Sequence, residues 1–225
     1  MIRQQYQRIR ERAAEAALRA GRDPKDVRLM AVTKTVDVPR ILEAIEAGAN
    51  LLGENRVQEL ALKRPRLPCE THLIGHLQSN KVSKAVVCAD MIQSVDSVRL
   101  AGEISKECRK QGKAMPVLLE VNIGRDASKF GFPPEEVWEA LEEIARFPGI
   151  KVSGLMTIPP ICENLARTRN FFSQMHALWL DICTKKMDNI VMDILSMGMS
   201  GDFEAAIAEG STLVRVGSAV FGARN

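Results

Sequence analysis

Eight short apolar runs recur along the 225 residues, each set apart from the next by a stretch with helical patterning. No other feature limits the fold so tightly. The runs are RLMAVT at 28–33, NLLG at 50–53, THLIG at 71–75, MIQSV at 91–95, PVLLEVN at 116–122, KVSGLM at 151–156, IVMDILSM at 190–197 and TLVRVG at 212–217. Short apolar runs alternating with amphipathic helices predict parallel βα units. Eight such units close a TIM barrel, and the chain length is near the ~250 residues typical of one. An open doubly wound sheet is the alternative. The first run is not followed by GxGxxG, which disfavours a dinucleotide fold. The expectation is an α/β chain, a single (β/α)8 TIM barrel with an extra N-terminal helix, residues 1–225 forming one domain.

Local signals punctuate this pattern. MIRQQYQRIRERAAEAALRAG at 1–21 spaces its charges as an amphipathic helix does, and not as a signal peptide does. In VDVPRILEAIEAG at 36–48, Asp37 suits a cap, Pro39 a first turn and Gly48 a stop. Asp96 is placed to open the helix that ends at Gly112. Asp202 is placed to cap DFEAAIAEG, turned back onto its own helix.

Composition removes several function classes. A net charge of +3 with interspersed signs does not argue for nucleic acid or a membrane surface. Aromatic residues make up only 4% of the chain and form no stacking row, so single-stranded nucleic acid fits poorly. The five cysteines are odd in number and lack any CxxC, which points away from disulfides and zinc and towards a reducing cytoplasm. No apolar run approaches the ~18 residues of a membrane span. His72 and His76 are four apart, but His72 lies in a strand and no HExxH is present, so no metal site is expected. No interface signature stands out, which leaves a monomer as the default.

In a TIM barrel the functional loops follow the C-terminal ends of the strands, and those after strands seven and eight commonly hold a phosphate. Here they read SMGMSGD at 196–202 and VRVGSA at 214–219. Glycine lets backbone N–H groups approach an anion, and serine adds a hydroxyl donor. The first of these loops leads into a helix N-terminus, which favours negative charge. Lys34 directly follows strand one and faces the same mouth. Desolvation there would favour its neutral amine, which can attack a carbonyl. Arg215 interrupts the apolar eighth strand, so it must face the mouth or find a partner. Asn55 and His76 follow strands two and three. Lys129, in GRDASKFGF at 124–132, reads as solvated.

AVTKT around Lys34, GENRVQEL at 53–60, HLIGHLQSNK at 72–81, VNIG at 121–124, GLMTIPP at 154–160 and LSMGMSGDFEAAIAEGSTLVRVGSAVFGAR at 195–224 together resemble the pyridoxal phosphate homeostasis protein family. The resemblance implies a fold similar to the barrel of bacterial alanine racemase, and a pyridoxal 5′-phosphate cofactor held as a Schiff base on Lys34. It implies that Ser200, Gly217 and Ser218 hold the phosphate, that Arg215 faces the pyridine nitrogen and that Asn55 lies near the cofactor. The family often has Thr at position 218 and a further lysine in the loop after Lys34, where this chain has Ser218 and TVDV.

Racemisation by two bases needs a proton acceptor on each face of the substrate carbon. In alanine racemase a tyrosine from a second domain supplies the other base, and the one tyrosine of this chain is Tyr6, in the N-terminal helix. An arginine on the ring nitrogen also weakens the ring as an electron sink. The expectation is a binding protein that buffers or delivers the cofactor, with no strong catalysis and with apo-enzymes that use pyridoxal phosphate as acceptors. The alternatives are a weak amino-acid racemase and a Schiff-base phosphosugar aldolase.

Overall fold

In the computed structural model, which describes residues 1–162 and 164–222, the eight runs form eight parallel strands closed into a barrel in chain order. They are β1 (Arg28–Val32), β2 (Leu51–Glu54), β3 (Glu70–Leu73), β4 (Met91–Val95), β5 (Met115–Glu120), β6 (Ile150–Met156), β7 (Ile190–Ser196) and β8 (Leu213–Val216). Closure is made by β1 on β8, with Met30 opposite Arg215 and Ala31 opposite Val216. The expected (β/α)8 barrel with a leading helix is the observed fold.

The helices are α1 (Ile2–Arg19), α2 (Val38–Glu46), α3 (Val57–Lys63), α4 (Val82–Cys88), α5 (Val98–Gln111), α6 (Val137–Ile144), α7 (Leu165–Cys183), α8 (Phe203–Ala208) and α9 (Ser218–Phe221). The helix after β8 is only four residues long, too short to cover the β8–β1 seam. Helix α1 packs against α2, α8 and α9 and fills that place in the outer ring. It buries Ile2, Tyr6, Ile9, Ala13, Ala16 and Ala17, a stripe at helical spacing whose alanines permit close approach.

Side chains alternate across the wall. Along β1, Leu29 and Ala31 face the helices, while Met30 and Val32 meet Leu51, Ile74 and Leu213 inside the barrel. Between wall and helices runs the larger apolar layer, with Leu60, Leu73, Ile104, Leu141, Phe172 and Leu195 fully buried.

Three caps differ from expectation. Ser97, not Asp96, caps α5, its hydroxyl accepting from Leu100 N–H at 3.2 Å, because Asp96 is engaged with His76 Nδ1 at 2.8 Å. Asp37 and Asp202 occupy the N-cap positions of α2 and α8 without a capping hydrogen bond. Asp202 instead turns back into its loop, where its carboxylate accepts from Met199 N–H at 2.6 Å. Among the described residues, no helix is long and apolar enough to cross a membrane, and no group of three or more His, Cys, Asp or Glu could hold a metal ion. The five cysteines are unpaired thiols.

Candidate functional site

A cleft of about 480 Å³ opens at the C-terminal ends of the strands. Lys34, Asn55, Ser200, Arg215, Gly217 and Ser218 all line it, with Val32, Ile74, Ile158, Met199 and Gly201. The six residues singled out in the sequence come from the ends of β1, β2, β7 and β8, and the barrel brings them to one concavity. Val32, Ile74 and Ile158 supply an apolar wall that sequence reasoning had not assigned.

The β7 and β8 loops meet through Ser200, whose hydroxyl accepts from Gly217 N–H at 3.2 Å and Ala219 N–H at 3.4 Å. These are long contacts, and a better acceptor can displace them. Gly198 has φ +93°, and an added Cβ would fall 2.5 Å from the Ala206 Cβ. That backbone bend needs glycine. Holding Met199 N–H, Asp202 is kept inside its own loop, and burial pushes its carboxyl up.

Lys34 is half-buried and stands between two threonines clamped from outside the barrel wall. Lys63 Nζ, on α3, donates to Glu54 Oε1 at 2.7 Å, Glu59 Oε1 at 2.6 Å and the Thr33 carbonyl at 2.8 Å. Thr33 Oγ1 donates to Glu54 Oε1 at 2.6 Å, and Thr35 N–H donates to Glu59 Oε1 at 2.6 Å. Thr35 itself has φ +62°, a rare conformation for a β-branched residue. The residue after Lys34 is therefore held in a strained turn by an ion triad in which Lys63 and Glu54 are buried and Glu59 is half-buried. Asn55 is placed by a close backbone approach, since a Cβ on Gly75 would lie 2.3 Å from the Asn55 carbonyl oxygen.

Arg215 is 3% exposed, and burial lowers its pKa to about 10, still well above neutrality. Its Nη1 donates to Ser196 Oγ at 2.6 Å and its Nη2 to the Thr157 carbonyl at 2.8 Å. Glu120, at the end of β5, is close enough to Arg215 for their charges to interact. Burial and the nearby Asp96 push its carboxyl up to about 7, against the pull of Arg215 and Lys129. Sequence reasoning missed Glu120. The available signal was a lone acid closing an apolar strand, the argument that did find Arg215.

His76 does not line the cleft. It pairs with Asp96, and its ring stacks on Phe130 with centroids 3.7 Å apart and planes 11° from parallel. The β5 loop thus reaches the β3 loop across the mouth. Lys129, on that loop, is exposed as expected.

A closed eight-stranded barrel whose mouth gathers a lysine, a buried arginine and two Gly/Ser loops is the class typified by the N-terminal domain of alanine racemase, and residues 4–225 match that family. Among curated relatives, the pyridoxal phosphate homeostasis protein of Aquifex aeolicus is 41% identical over 96% of both chains. This chain belongs to the pyridoxal phosphate homeostasis protein family. Among solved structures, an uncharacterised protein from Bifidobacterium adolescentis is 39% identical, with a TM-score of 0.93 over 98% of this chain and 94% of its own. PipY of Synechococcus elongatus with pyridoxal phosphate bound is 37% identical, with a TM-score of 0.83 over 95% of this chain and all of its own.

Proposed function

We propose that this chain binds pyridoxal 5′-phosphate in the 480 Å³ cleft, as a Schiff base on Lys34, and holds or hands on the cofactor instead of turning over a substrate of its own. The observation that carries the reading is the convergence of Lys34, Arg215 and the two Gly/Ser loops on one cleft. A relative 37% identical binds the same cofactor.

The donor set fits such a group. The hydroxyls of Ser200 and Ser218 and the N–H groups of Gly217 and Ala219 suit a phosphate. Val32, Ile74, Ile158 and Met199 suit a flat ring. Arg215 can only donate, so it suits the pyridine nitrogen as an acceptor. When bound, the cofactor would supply an aldehyde carbon, and the Lys34 amine would condense with it, releasing one water. Asn55 lines the same cleft and would lie near the bound cofactor.

The cleft is poorly equipped for two-base chemistry. Among the described residues lining it, Lys34 is the sole amine, and none is a carboxylate, imidazole or phenol. Tyr6 points elsewhere, its hydroxyl 3.5 Å from the Gly48 carbonyl oxygen. An arginine on the ring nitrogen keeps that nitrogen unprotonated and limits electron withdrawal.

The test is a visible titration of the purified protein with pyridoxal phosphate, then incubation with L-alanine and, separately, with an apo-enzyme that needs the cofactor. The expected result is a saturable chromophore absent in Lys34→Ala, negligible racemisation and recovery of activity by the apo-enzyme. Racemisation at an ordinary enzymatic rate would favour the catalytic alternative. A chain that stays colourless would reject both, leaving a phosphosugar Schiff base to test.

A further inference from the structure

TIM-barrel interiors are filled by branched apolar side chains, yet this one is crossed by a line of polar side chains from mouth to floor. Arg215 on β8, Ser196 on β7, Gln93 on β4 and His72 on β3 are each at most 3% exposed. They form one string. Arg215 Nη1 donates to Ser196 Oγ at 2.6 Å. Ser196 Oγ donates to Gln93 Oε1 at 2.8 Å. Gln93 Nε2 is 2.8 Å from His72 Nδ1, and His72 Nε2 is 2.6 Å from Glu70 Oε1. Glu70 lies at the N-terminal end of β3, on the opposite face of the barrel from the cleft, where Arg28 also donates to it.

The direction of every proton in this string follows from chemistry. A guanidinium has no acceptor, so Ser196 Oγ must accept from Arg215, and its one proton goes to the Gln93 carbonyl oxygen. The Gln93 amide nitrogen then faces His72, and an amide N–H only donates, so Nδ1 is unprotonated. The hydrogen bond from His72, foremost, together with Arg28 holds the Glu70 carboxyl down at about 2 against the effect of burial, so Glu70 is an anion that only accepts. His72 is therefore the neutral imidazole with its proton on Nε2. Each donor points away from Arg215 and towards Glu70. A chain aligned this way polarises cooperatively, with a cation at one end and an anion at the other.

We propose that Gln93 and Ser196 are positioning residues for Arg215, the string fixing which guanidinium N–H groups are spent inward and which face the cleft, and that it links this arrangement to the tautomer of His72. The glutamine is the element that sets direction. Turning its amide round would require His72 to donate from Nδ1 and would leave the Ser196 proton without its acceptor. A core that only needed volume would use methionine or leucine at position 93 and avoid the cost of burying an amide. The string needs nothing bound in the cleft; its consequence for a ligand rests on the cleft taking pyridoxal phosphate.

The experiment therefore has two arms. The first reads the histidine ring nitrogens of the protein without cofactor by long-range ¹H–¹⁵N NMR. His72 is expected as a single tautomer protonated at Nε2. Ser196→Ala and Arg215→Lys are expected to shift its ring-nitrogen signals, although neither residue touches the ring. Unchanged His72 signals in both variants would overturn the link. The second arm titrates pyridoxal phosphate into wild type, Gln93→Met and Gln93→Glu, with thermal melting as a control on folding. Gln93→Met is expected to weaken binding about tenfold, the loss of one buried hydrogen bond. Gln93→Glu, whose carboxylate still accepts from Ser196, is expected to retain most of the affinity while adding a proton at His72 Nδ1, so that the ring donates from both nitrogens. Equal affinity in Gln93→Met and wild type would reject the positioning role. If Gln93→Met does not fold, Ser196→Ala carries the same comparison. A wild type that takes no pyridoxal phosphate rejects the reading of the cleft, and the first arm still decides the string.

Discussion

Lys63 and Arg215 are both buried cations, and the barrel wall lies between them. Lys63, outside the wall, touches two carboxylates within 2.7 Å. Arg215, inside, spends its two identified hydrogen bonds on a hydroxyl and a carbonyl, both neutral, and feels Glu120 and Asp202 only through space. The difference separates two uses of a buried charge. A neutralised cation can tie backbone together, as Lys63 does for the turn around Lys34. A cation bonded to neutral groups keeps its field available to whatever enters the cleft.

The comparison breaks most readily at Lys63. Lys63→Met strands Glu54, which is fully buried, so a loss of about 3–5 kcal/mol is expected in denaturant unfolding. A loss below about 1 kcal/mol would mean that the triad is not a clamp.

Glu120 gives the next largest effect. It keeps its proton in the fold up to about pH 7, whereas an unperturbed glutamate loses it near 4.5. Between those values the unfolded chain binds fewer protons than the native one, so stability falls as pH rises, by on the order of 3 kcal/mol across the window. Glu120→Gln removes that fall, and melting curves from pH 4 to pH 8 should show the variant gaining on wild type throughout it. Parallel curves would place Glu120 in contact with water.

Two smaller effects sharpen the contrast. Thr35→Gly relieves the left-handed backbone at φ +62° while keeping the N–H that Glu59 holds, and a gain of about 1 kcal/mol is expected. Arg215→Met removes a buried cation with no bonded counter-ion, so stability should change by less than about 1 kcal/mol, far from the Lys63→Met result. Affinity for pyridoxal phosphate should nevertheless fall sharply. A large destabilisation would assign Arg215 a structural role like that of Lys63.

The barrel could be read from the sequence because all eight strands carry short apolar runs between helices with recognisable stops. Lys34, Ser200 and Gly217 could be read because strand ends map onto the mouth once the barrel is assumed. Arg215 was visible as a charge in an apolar strand. His72, Gln93 and Ser196 carry a weaker form of that signal, being uncharged, and the bonds that join them to one another and to Arg215 run between strands, across 19 to 103 positions. The clamp on Lys34 was invisible for a similar reason. GENRVQEL reads as a strand end and a helix start, and nothing in it reveals that Glu54, Glu59 and Lys63 converge beneath Thr33 and Thr35. The Asp96 cap failed where a competing partner, His76, stood nearby.

The central claim is that Lys34 carries the cofactor, and peptide mapping after reduction tests it most directly. Protein incubated with pyridoxal phosphate is treated with borohydride, digested and sequenced by mass spectrometry. The account predicts one dominant modified site, a reduced phosphopyridoxyl group on Lys34, accompanied by bleaching of the visible chromophore. Label spread over exposed lysines such as Lys129, with Lys34 unmodified, would contradict it.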